Sequence, residues 1–292
     1  MSFSKVILGS AQFMQGYGIA NNPDNYSIEE MHKVLDYSST IGIDTIDTAH
    51  AYGNTEKILG DYGVDSFKII TKIPKQEKKS KSSQVWIASK LEESLKNLKI
   101  ESIHCLHLHN PKDILTSEGK KIVSQLKQLK KNGLIQNIGF SLYNSDQLED
   151  LLSIMTPDIV QVPLNVFDRR MIENGTINNL YDQDISIHIR SIFLQGLLLM
   201  EKKDLNPYFN NWSSLFELWE DWHKKNHLTK LQACLKYVFE FKEIDKYIIG
   251  IDSLDHLQEI INTLNSKNFK KVPIALSSKE QALINPSKWK LN

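Results

Sequence analysis

Four polar residues lie at or just after the ends of three successive apolar runs. The residues are Asp47, Tyr52, Lys72 and His109, and the runs cover positions 43–47, 67–72 and 103–109. If the runs are neighbouring parallel strands, the four side chains meet at one mouth of a barrel, because every strand leaves the barrel at the same face. A phenol placed beside an ammonium, a carboxylate and an imidazole can donate a proton to an alkoxide as it forms, or remove one in reverse.

The expected roles of the four groups follow from their acid–base chemistry. A phenol has a reference pKa of about 10, and a nearby ammonium stabilises the phenolate. We therefore expect Lys72 to lower the pKa of Tyr52, Asp47 to pair with Lys72, and His109 to polarise or orient a substrate oxygen. None of the four is an obvious nucleophile. No metal site is predicted, because strand alternation points His104 away from His109.

The elements that must position these groups alternate along the chain. Short β-rich runs separated by helical patterns cover residues 6–9, 43–47, 67–72, 103–109, 135–141, 159–161, 185–190 and 247–250. Eight such strands over 292 residues fit one α/β domain, a (β/α)₈ TIM barrel spanning residues 1–292. The alternative is an open doubly wound sheet, but residues 9–16 lack the G-x-G-x-x-G spacing that such a sheet normally carries after its first strand.

Three local patterns stand out beside this alternation. Ser27 and Glu30 have the spacing of a capping box that opens the first helix. Residues 195–226 form a long segment after the seventh strand that is rich in Trp and Phe, and residues 266–292 form a tail. Long loops after barrel strands commonly shape the substrate site, although these aromatic residues could equally pack the segment onto the barrel.

Composition narrows the functional classes. Lys plus Arg and Asp plus Glu each total 35, so formal net charge is zero and no global basic field points to nucleic acid. Two cysteines give no disulfide framework, and no apolar run approaches the length that spans a bilayer. No long apolar signal region precedes the first strand. We therefore expect a cytoplasmic protein that binds neither nucleic acid nor membrane.

The segment around Tyr52 resembles the aldo-keto reductase family. Residues 47–56 read D-T-A-H-A-Y-G-N-T-E, which is similar to the family's D-T-A-x-x-Y-G-[NS]-[ST]-E signature. Ile70-Thr71-Lys72, residues 98–111, Gly139-Phe140-Ser141, and Gln161 with Asn165 resemble further family motifs. The resemblance covers residues 8–264 and implies a (β/α)₈ barrel that transfers hydride between NADPH, or less often NADH, and a small carbonyl or alcohol.

The resemblance also implies a role for each matching residue. Tyr52 would be the proton donor, tuned by Lys72 and Asp47, while His109 orients the carbonyl and Ser141 and Gln161 hold the nicotinamide carboxamide. The stretches after strands seven and eight would complete the cofactor site through Arg190, Ser191, Phe193, Gln195, Gly250, Asp252, Ser253 and His256.

Three departures from the family pattern concern the cofactor. Leu142 stands where many members have Asn, and Arg190 stands where an aromatic residue often stacks on the nicotinamide. A guanidinium plane can also stack on a ring. Basic residues that grip the adenosine 2′-phosphate are absent after strand eight, where Asp252 and Asp255 add negative charge. The choice between NADPH and NADH therefore stays open.

The substrate pocket is expected to include Phe13, Met14, His50 and Asn110, with part of residues 195–226. This mixture of groups would suit a small or sugar-like aldehyde or ketone. Two other functions remain possible from the sequence. One is a non-catalytic barrel of the same family that serves as a binding or regulatory subunit, and the other is an unrelated barrel lyase or isomerase that acts on a phosphorylated substrate. The oligomeric state is not predicted.

Overall fold

A computed structural model places eight parallel strands in a closed barrel. It describes residues 3–13, 18–19, 27–76, 82–266 and 271–291. The strands are β1 (Val6–Gly9), β2 (Thr45–Asp47), β3 (Lys68–Ile73), β4 (Ile103–Leu108), β5 (Ile135–Ser141), β6 (Ile159–Pro163), β7 (Ser186–Arg190) and β8 (Lys246–Gly250). Each pairs with the next, and β8 pairs with β1. The (β/α)₈ barrel is therefore confirmed, with strand ends shifted by one or two residues from the predicted ones.

Helices follow the strands on the outside of the barrel. They are α1 (Ile28–Thr40), α2 (Thr55–Tyr62), α3 (Ser83–Leu98), α4 (Gly119–Lys131), α5 (Leu148–Ile154), α6 (Arg170–Glu173), α7 (Thr176–Asp182), α8 (Ser213–Lys225), α9 (Lys230–Val238), α10 (Leu254–Asn265) and α11 (Gln281–Ile284). Their buried stripes, such as Leu91 and Leu98 of α3, cover the outer face of the sheet.

The barrel interior contains a polar layer that depends on one glycine. His107 on β4 lies between Lys72 on β3 and Gly139 on β5 in the strand register, and its side chain is fully buried. A Cβ added at Gly139 would lie 2.5 Å from the His107 ring, so only glycine leaves space for the imidazole. Burial, and then the charge of Lys72, hold the pKa of His107 well below its usual range.

The predicted capping box at α1 forms only in part. The Ser27 hydroxyl accepts the backbone N–H of Glu30 at 3.0 Å, as expected. The Glu30 carboxylate, however, accepts the backbone N–H of Leu254 at 2.8 Å, at the start of α10. The first N–H groups of a helix lack partners within the helix and carry positive partial charge, so they attract a carboxylate from the neighbouring element.

The aromatic segment after β7 packs onto the barrel. Its Phe209, Phe216 and Trp219 are buried, and Phe167 from the loop after β6 meets Phe216 edge-on at 5.5 Å. Residues 271–291 lie against this segment, where the ring centres of Trp289 and Phe209 are 5.1 Å apart. The packing alternative for these aromatic residues is therefore the one that the structure supports for most of the segment.

Candidate active site

Asp47 and Lys72 form a buried ion pair at the centre of the barrel mouth. The Lys72 ammonium donates to the Asp47 carboxylate at 2.5 Å and to the Thr48 carbonyl at 2.8 Å. Both side chains are almost fully buried, at 4% and 2% exposure for Asp47 and Lys72. Gln161 donates to the other oxygen of Asp47 at 2.5 Å. The charges of the pair therefore compensate each other.

Tyr52 lies against this pair and lines the same cleft as Asp47, Lys72 and His109. The Lys72 ammonium is 5.5 Å from the centre of the phenol ring. Burial, followed by the negative charge of Asp47, raises the pKa of Tyr52, while Arg190 acts in the opposite direction. Burial and Asp47 therefore outweigh the lowering expected from Lys72, whose charge is compensated by Asp47. The phenol therefore stays protonated at neutral pH.

His109 faces the cleft just beyond the end of β4. Its backbone N–H donates to the Ile73 carbonyl at 3.0 Å, which extends the pairing of β3 and β4 by one residue. Burial, then the charges of Lys72 and Arg190, lower the pKa of His109 to about 4. The imidazole is therefore neutral at pH 7 and can donate one hydrogen bond to a ligand oxygen.

Ser141 ends β5, and Gln161 lies in the middle of the neighbouring β6, beside this cluster. They are Cα partners in the register of β5 and β6, and both are buried. Ser141 lines the cleft. The Gln161 amide oxygen is buried without a hydrogen-bond partner among the described residues, while its amide nitrogen holds Asp47. This oxygen could accept an N–H from a bound ligand.

The loop after β7 forms one wall of the cleft. Arg190, Ser191, Phe193 and Gln195 all line it, as do Ile192 and Gly196. Ser191 and Gln195 adopt left-handed conformations at φ 61° and 53°. Left-handed residues other than glycine store strain, which is common at ligand sites. Asn165 holds the loop in place by donating to the Ser191 carbonyl at 3.0 Å.

The opposite end of the cleft lies at the start of α10. Gly250, Asp252 and His256 line it, and Asp252 accepts from His256 Nδ1 at 2.9 Å. The Ser253 hydroxyl caps α10 by accepting the His256 backbone N–H at 3.2 Å. With Glu30 on Leu254, two carboxylates therefore lie at this helix start. The hydrogen bond from His256 lowers the pKa of Asp252, so it is ionised at pH 7.

The predicted substrate residues are not brought together. Phe13 is 5% exposed and belongs to the core, and Met14 lies outside the described residues. Asn110 turns toward Asp113, to which its amide donates at 2.6 Å. His50 points between α2 and α3, where its ring nitrogens lie 3.8 Å from Glu56 and 3.4 Å from Glu93. None of the three described residues lines the cleft.

The cleft has wall residues that the sequence did not single out. Tyr143 follows β5, is 47% exposed, and packs against the Arg190 guanidinium. Gln12 and Leu199 also line the cleft, which encloses about 180 Å³. Leu199 falls within the long segment after β7, whose contribution was predicted only in general terms. Tyr143 directly follows the unusual Leu142, and that departure from the family pattern was the available signal.

Within the described ranges of the chain, no group of three or more His, Cys, Asp or Glu residues could hold a metal ion. Within the same part of the chain, no helix combines the length and the apolar character needed to cross a membrane.

Comparisons with known proteins agree with this geometry. The model of the aldo/keto reductase family matches residues 5–276. The chain is 29% identical over 183 residues to the aldo-keto reductase YhdN of Bacillus subtilis, covering 59% of this chain and 53% of YhdN. It is 25% identical over 154 residues to D-arabinose 1-dehydrogenase of Saccharomyces cerevisiae, covering 50% of this chain and 44% of that enzyme. The alignments thus span about half the length of these relatives.

Solved structures show the same fold at lower identity. The aldo-keto reductase AKR11C1 from Bacillus halodurans superposes with a TM-score of 0.72 at 15% identity, covering 91% of this chain and 88% of that chain. The glycerol dehydrogenase AKR11B4 from Gluconobacter oxydans gives 0.69 at 20% identity, with coverage of 91% and 88%.

The fold is a closed parallel barrel, and its cleft is lined by an acid, a phenol, an ammonium and an imidazole. The chain belongs to the aldo/keto reductase family, since the family model covers nearly its whole length.

Proposed function

We propose that this protein reduces a small aldehyde or ketone with NADH or NADPH, using Tyr52 as the proton donor. The observation that carries the proposal is the cluster of Asp47, Tyr52, Lys72 and His109 in one cleft. Membership of the aldo/keto reductase family supports an oxidoreductase that takes a nicotinamide cofactor.

The residues of the cleft fit such a cofactor. The Ser141 hydroxyl lines the cleft, and the unpartnered amide oxygen of Gln161 lies opposite Ser141 in the strand register, so the two suit a carboxamide, which both donates and accepts hydrogen bonds. The cleft then extends to Gly250, Asp252 and His256 at the far end, so that an elongated ligand can lie across the mouth. Phe193, Gln195 and Ser253 would complete this wall.

The chain's own groups manage the proton. A bound reduced nicotinamide supplies the hydride that the carbonyl carbon receives. Tyr52 gives its phenolic proton to the carbonyl oxygen, and His109 donates a hydrogen bond to the same oxygen while remaining neutral. The buried ion pair of Lys72 and Asp47 forms the base of the cleft next to Tyr52. The alkoxide is more basic than a phenolate, so even a phenol of raised pKa can protonate it.

Replacing Tyr52 with Phe tests the proton donor. We expect Tyr52→Phe to lower kcat for carbonyl reduction roughly 100- to 10,000-fold, because it removes the general acid and keeps the ring. Dissociation constants for NADH and NADPH, followed by nicotinamide fluorescence, should change little. A variant that keeps more than about a tenth of the wild-type kcat would reject the assignment. A wild type that binds neither cofactor would instead favour the non-catalytic barrel.

A further inference from the structure

Arg190 is held rigidly at the wall of the cleft. Its guanidinium donates to the Leu142 carbonyl at 2.9 Å and to the Ser191 hydroxyl at 3.1 Å. Its central carbon lies 4.5 Å from the centre of the Tyr143 ring, so the aromatic side chain covers one part of the cation. Three separate chain positions therefore fix the direction of this side chain.

The charge of Arg190 is not compensated within the described chain. No Asp or Glu oxygen of the described residues lies within 4.0 Å of its guanidinium. The carboxylates that line the cleft are Asp47 and Asp252, and they pair with Lys72 and His256. Because Asp47 and Lys72 compensate each other, the part of the cleft beside Tyr52 and His109 carries the charge of Arg190 without a carboxylate partner. The effect of Arg190 reaches the reacting groups, because it opposes the burial that raises the pKa of Tyr52 and adds to the burial that lowers that of His109.

Only part of the hydrogen-bonding capacity of Arg190 is in use. A guanidinium has five N–H donors, and the two hydrogen bonds that Arg190 donates to described residues go to neutral oxygens. A partly buried cation with free donors is best matched by a carboxylate or phosphate, whose two oxygens fit the planar fork.

We propose that Arg190, backed by Tyr143, binds an anionic group of the substrate, so that the preferred carbonyl compounds carry a carboxylate or a phosphate. The proposal rests on the proposed reductase function and names its substrate class. The uncompensated guanidinium in the cleft beside Tyr52 and His109 carries it. Arg190 acts as a substrate-binding residue, and Tyr143 positions it.

Matched aldehydes test the charge preference. We would compare 4-formylbenzoate with its neutral methyl ester, and 4-formylphenyl phosphate with 4-methoxybenzaldehyde, as substrates of the wild type. A charge-assisted contact predicts a kcat/KM advantage of roughly 10- to 100-fold for the charged member, mostly through KM. The carboxylate and phosphate pairs show which anion the site takes. Equal values within both pairs would overturn the proposal.

Substitutions assign the preference to Arg190. Arg190→Met should abolish the advantage of the charged aldehydes, and Arg190→Lys should keep part of it, because lysine retains the charge without the fork. Lys203→Met removes the same charge from the exposed turn at Lys202–Asp204 and should preserve the advantage. Loss of the advantage in Lys203→Met, or its retention in Arg190→Met, would overturn the proposal.

Binding measurements separate this proposal from the proposed function. Benzoate and benzamide can be titrated by NMR into the wild type and Arg190→Met, with and without NADH, and this requires no turnover. If benzoate binds more tightly than benzamide and Arg190→Met removes this difference, the anion site is supported even when no aldehyde is reduced. The absence of aldehyde reduction would then reject only the reductase function. Arg190→Met weakening NADH binding more than about tenfold, with benzoate binding unchanged, would assign the cation to the cofactor and overturn the proposal.

Discussion

The pKa of Tyr52, the proposed proton donor, depends on the charges around it. Sequence spacing placed Tyr52 beside Lys72, and a lysine alone would favour the phenolate. The structure adds the 2.5 Å contact between Lys72 and Asp47, which leaves burial and Asp47 as the leading influences on the phenol. The effect of a charged neighbour therefore depends on that neighbour's own partner.

Removing Lys72 should change how the reaction rate depends on pH, because Asp47 then loses the charge that compensates it. Wild-type kcat/KM for reduction should stay level from about pH 6 to pH 9, because Tyr52 remains protonated there and His109, with a pKa of about 4, remains neutral. Lys72→Met leaves Asp47 unpaired, and this should raise the pKa of Tyr52 further. Alcohol oxidation, which needs the phenolate, should then fall about tenfold for each unit of that rise.

The matched control is the double variant Lys72→Met/Asp47→Asn, which removes both charges. It should recover part of the oxidation rate that Lys72→Met loses, because the unpaired carboxylate is gone. A Lys72→Met profile of rate against pH that superimposes on the wild type would remove Lys72 from the tuning of Tyr52.

The sequence predicted the placement of polar residues on the strands, but not the direction of side chains in the loops. Asp47, Lys72, Ser141 and Gln161 lie where strand period and barrel topology place them. His50, only two residues before Tyr52, turns to Glu56 and Glu93 instead. Residue spacing does not predict which way a side chain points in a loop, because loops lack the fixed two-residue period of strands.

At the scale of elements, the contact between α1 and α10 is the least expected feature. The Ser27 and Glu30 pattern correctly predicted where α1 begins, but the Glu30 carboxylate bonds to another helix 224 positions away. Local capping rules describe one helix at a time, so they could not identify this competing donor. The contact places the Glu30 carboxylate, which also pairs with Lys33, on the first turn of α10, two positions after Asp252.

Cofactor choice should respond to Glu30. We expect the wild type to prefer NADPH over NADH by less than about 100-fold in kcat/KM, because Asp252 lines the cleft at the start of α10 and Glu30 occupies an N–H of the same helix start. Glu30→Gln keeps an acceptor for the Leu254 N–H and removes the charge, so it should tighten NADPH binding roughly 3- to 10-fold and leave NADH nearly unchanged. Fluorescence titration with both cofactors measures this ratio.

The neighbouring residue supplies the control. Glu29→Gln removes the same charge from an exposed position of α1 and should leave the ratio of the two dissociation constants near the wild-type value. An equal response of both variants would show that the effect comes from net charge alone. A Glu30→Gln variant with an unchanged ratio would mean that the carboxylate does not face the cofactor.

At the scale of the whole molecule, the tail contacts the loop after β6. That loop in turn holds the loop after β7, which lines the cleft. Arg169, in the loop after β6, donates to the Pro273 carbonyl at 2.8 Å, and the Ser278 N–H donates to the Phe167 carbonyl at 2.8 Å. The same loop contains Asn165, which holds the strained Ser191. Alternation of strands and helices predicted the barrel, but it contains no information on where a segment beyond the last barrel helix will dock.

A substitution in the tail should therefore change stability before it changes ligand binding. Leu283 is fully buried, so Leu283→Ala should cost about 2–5 kcal/mol of unfolding free energy through lost burial and a residual cavity. This corresponds to a fall in Tm of roughly 4 °C or more. Ile274, 69% exposed in the same tail, gives the control, since Ile274→Ala should shift Tm by less than about 1 °C.

No described tail residue lines the cleft, so the NADH dissociation constant of folded Leu283→Ala should match that of the wild type. A large loss of NADH affinity without a change in Tm would show that the tail acts on the cleft directly rather than through overall stability.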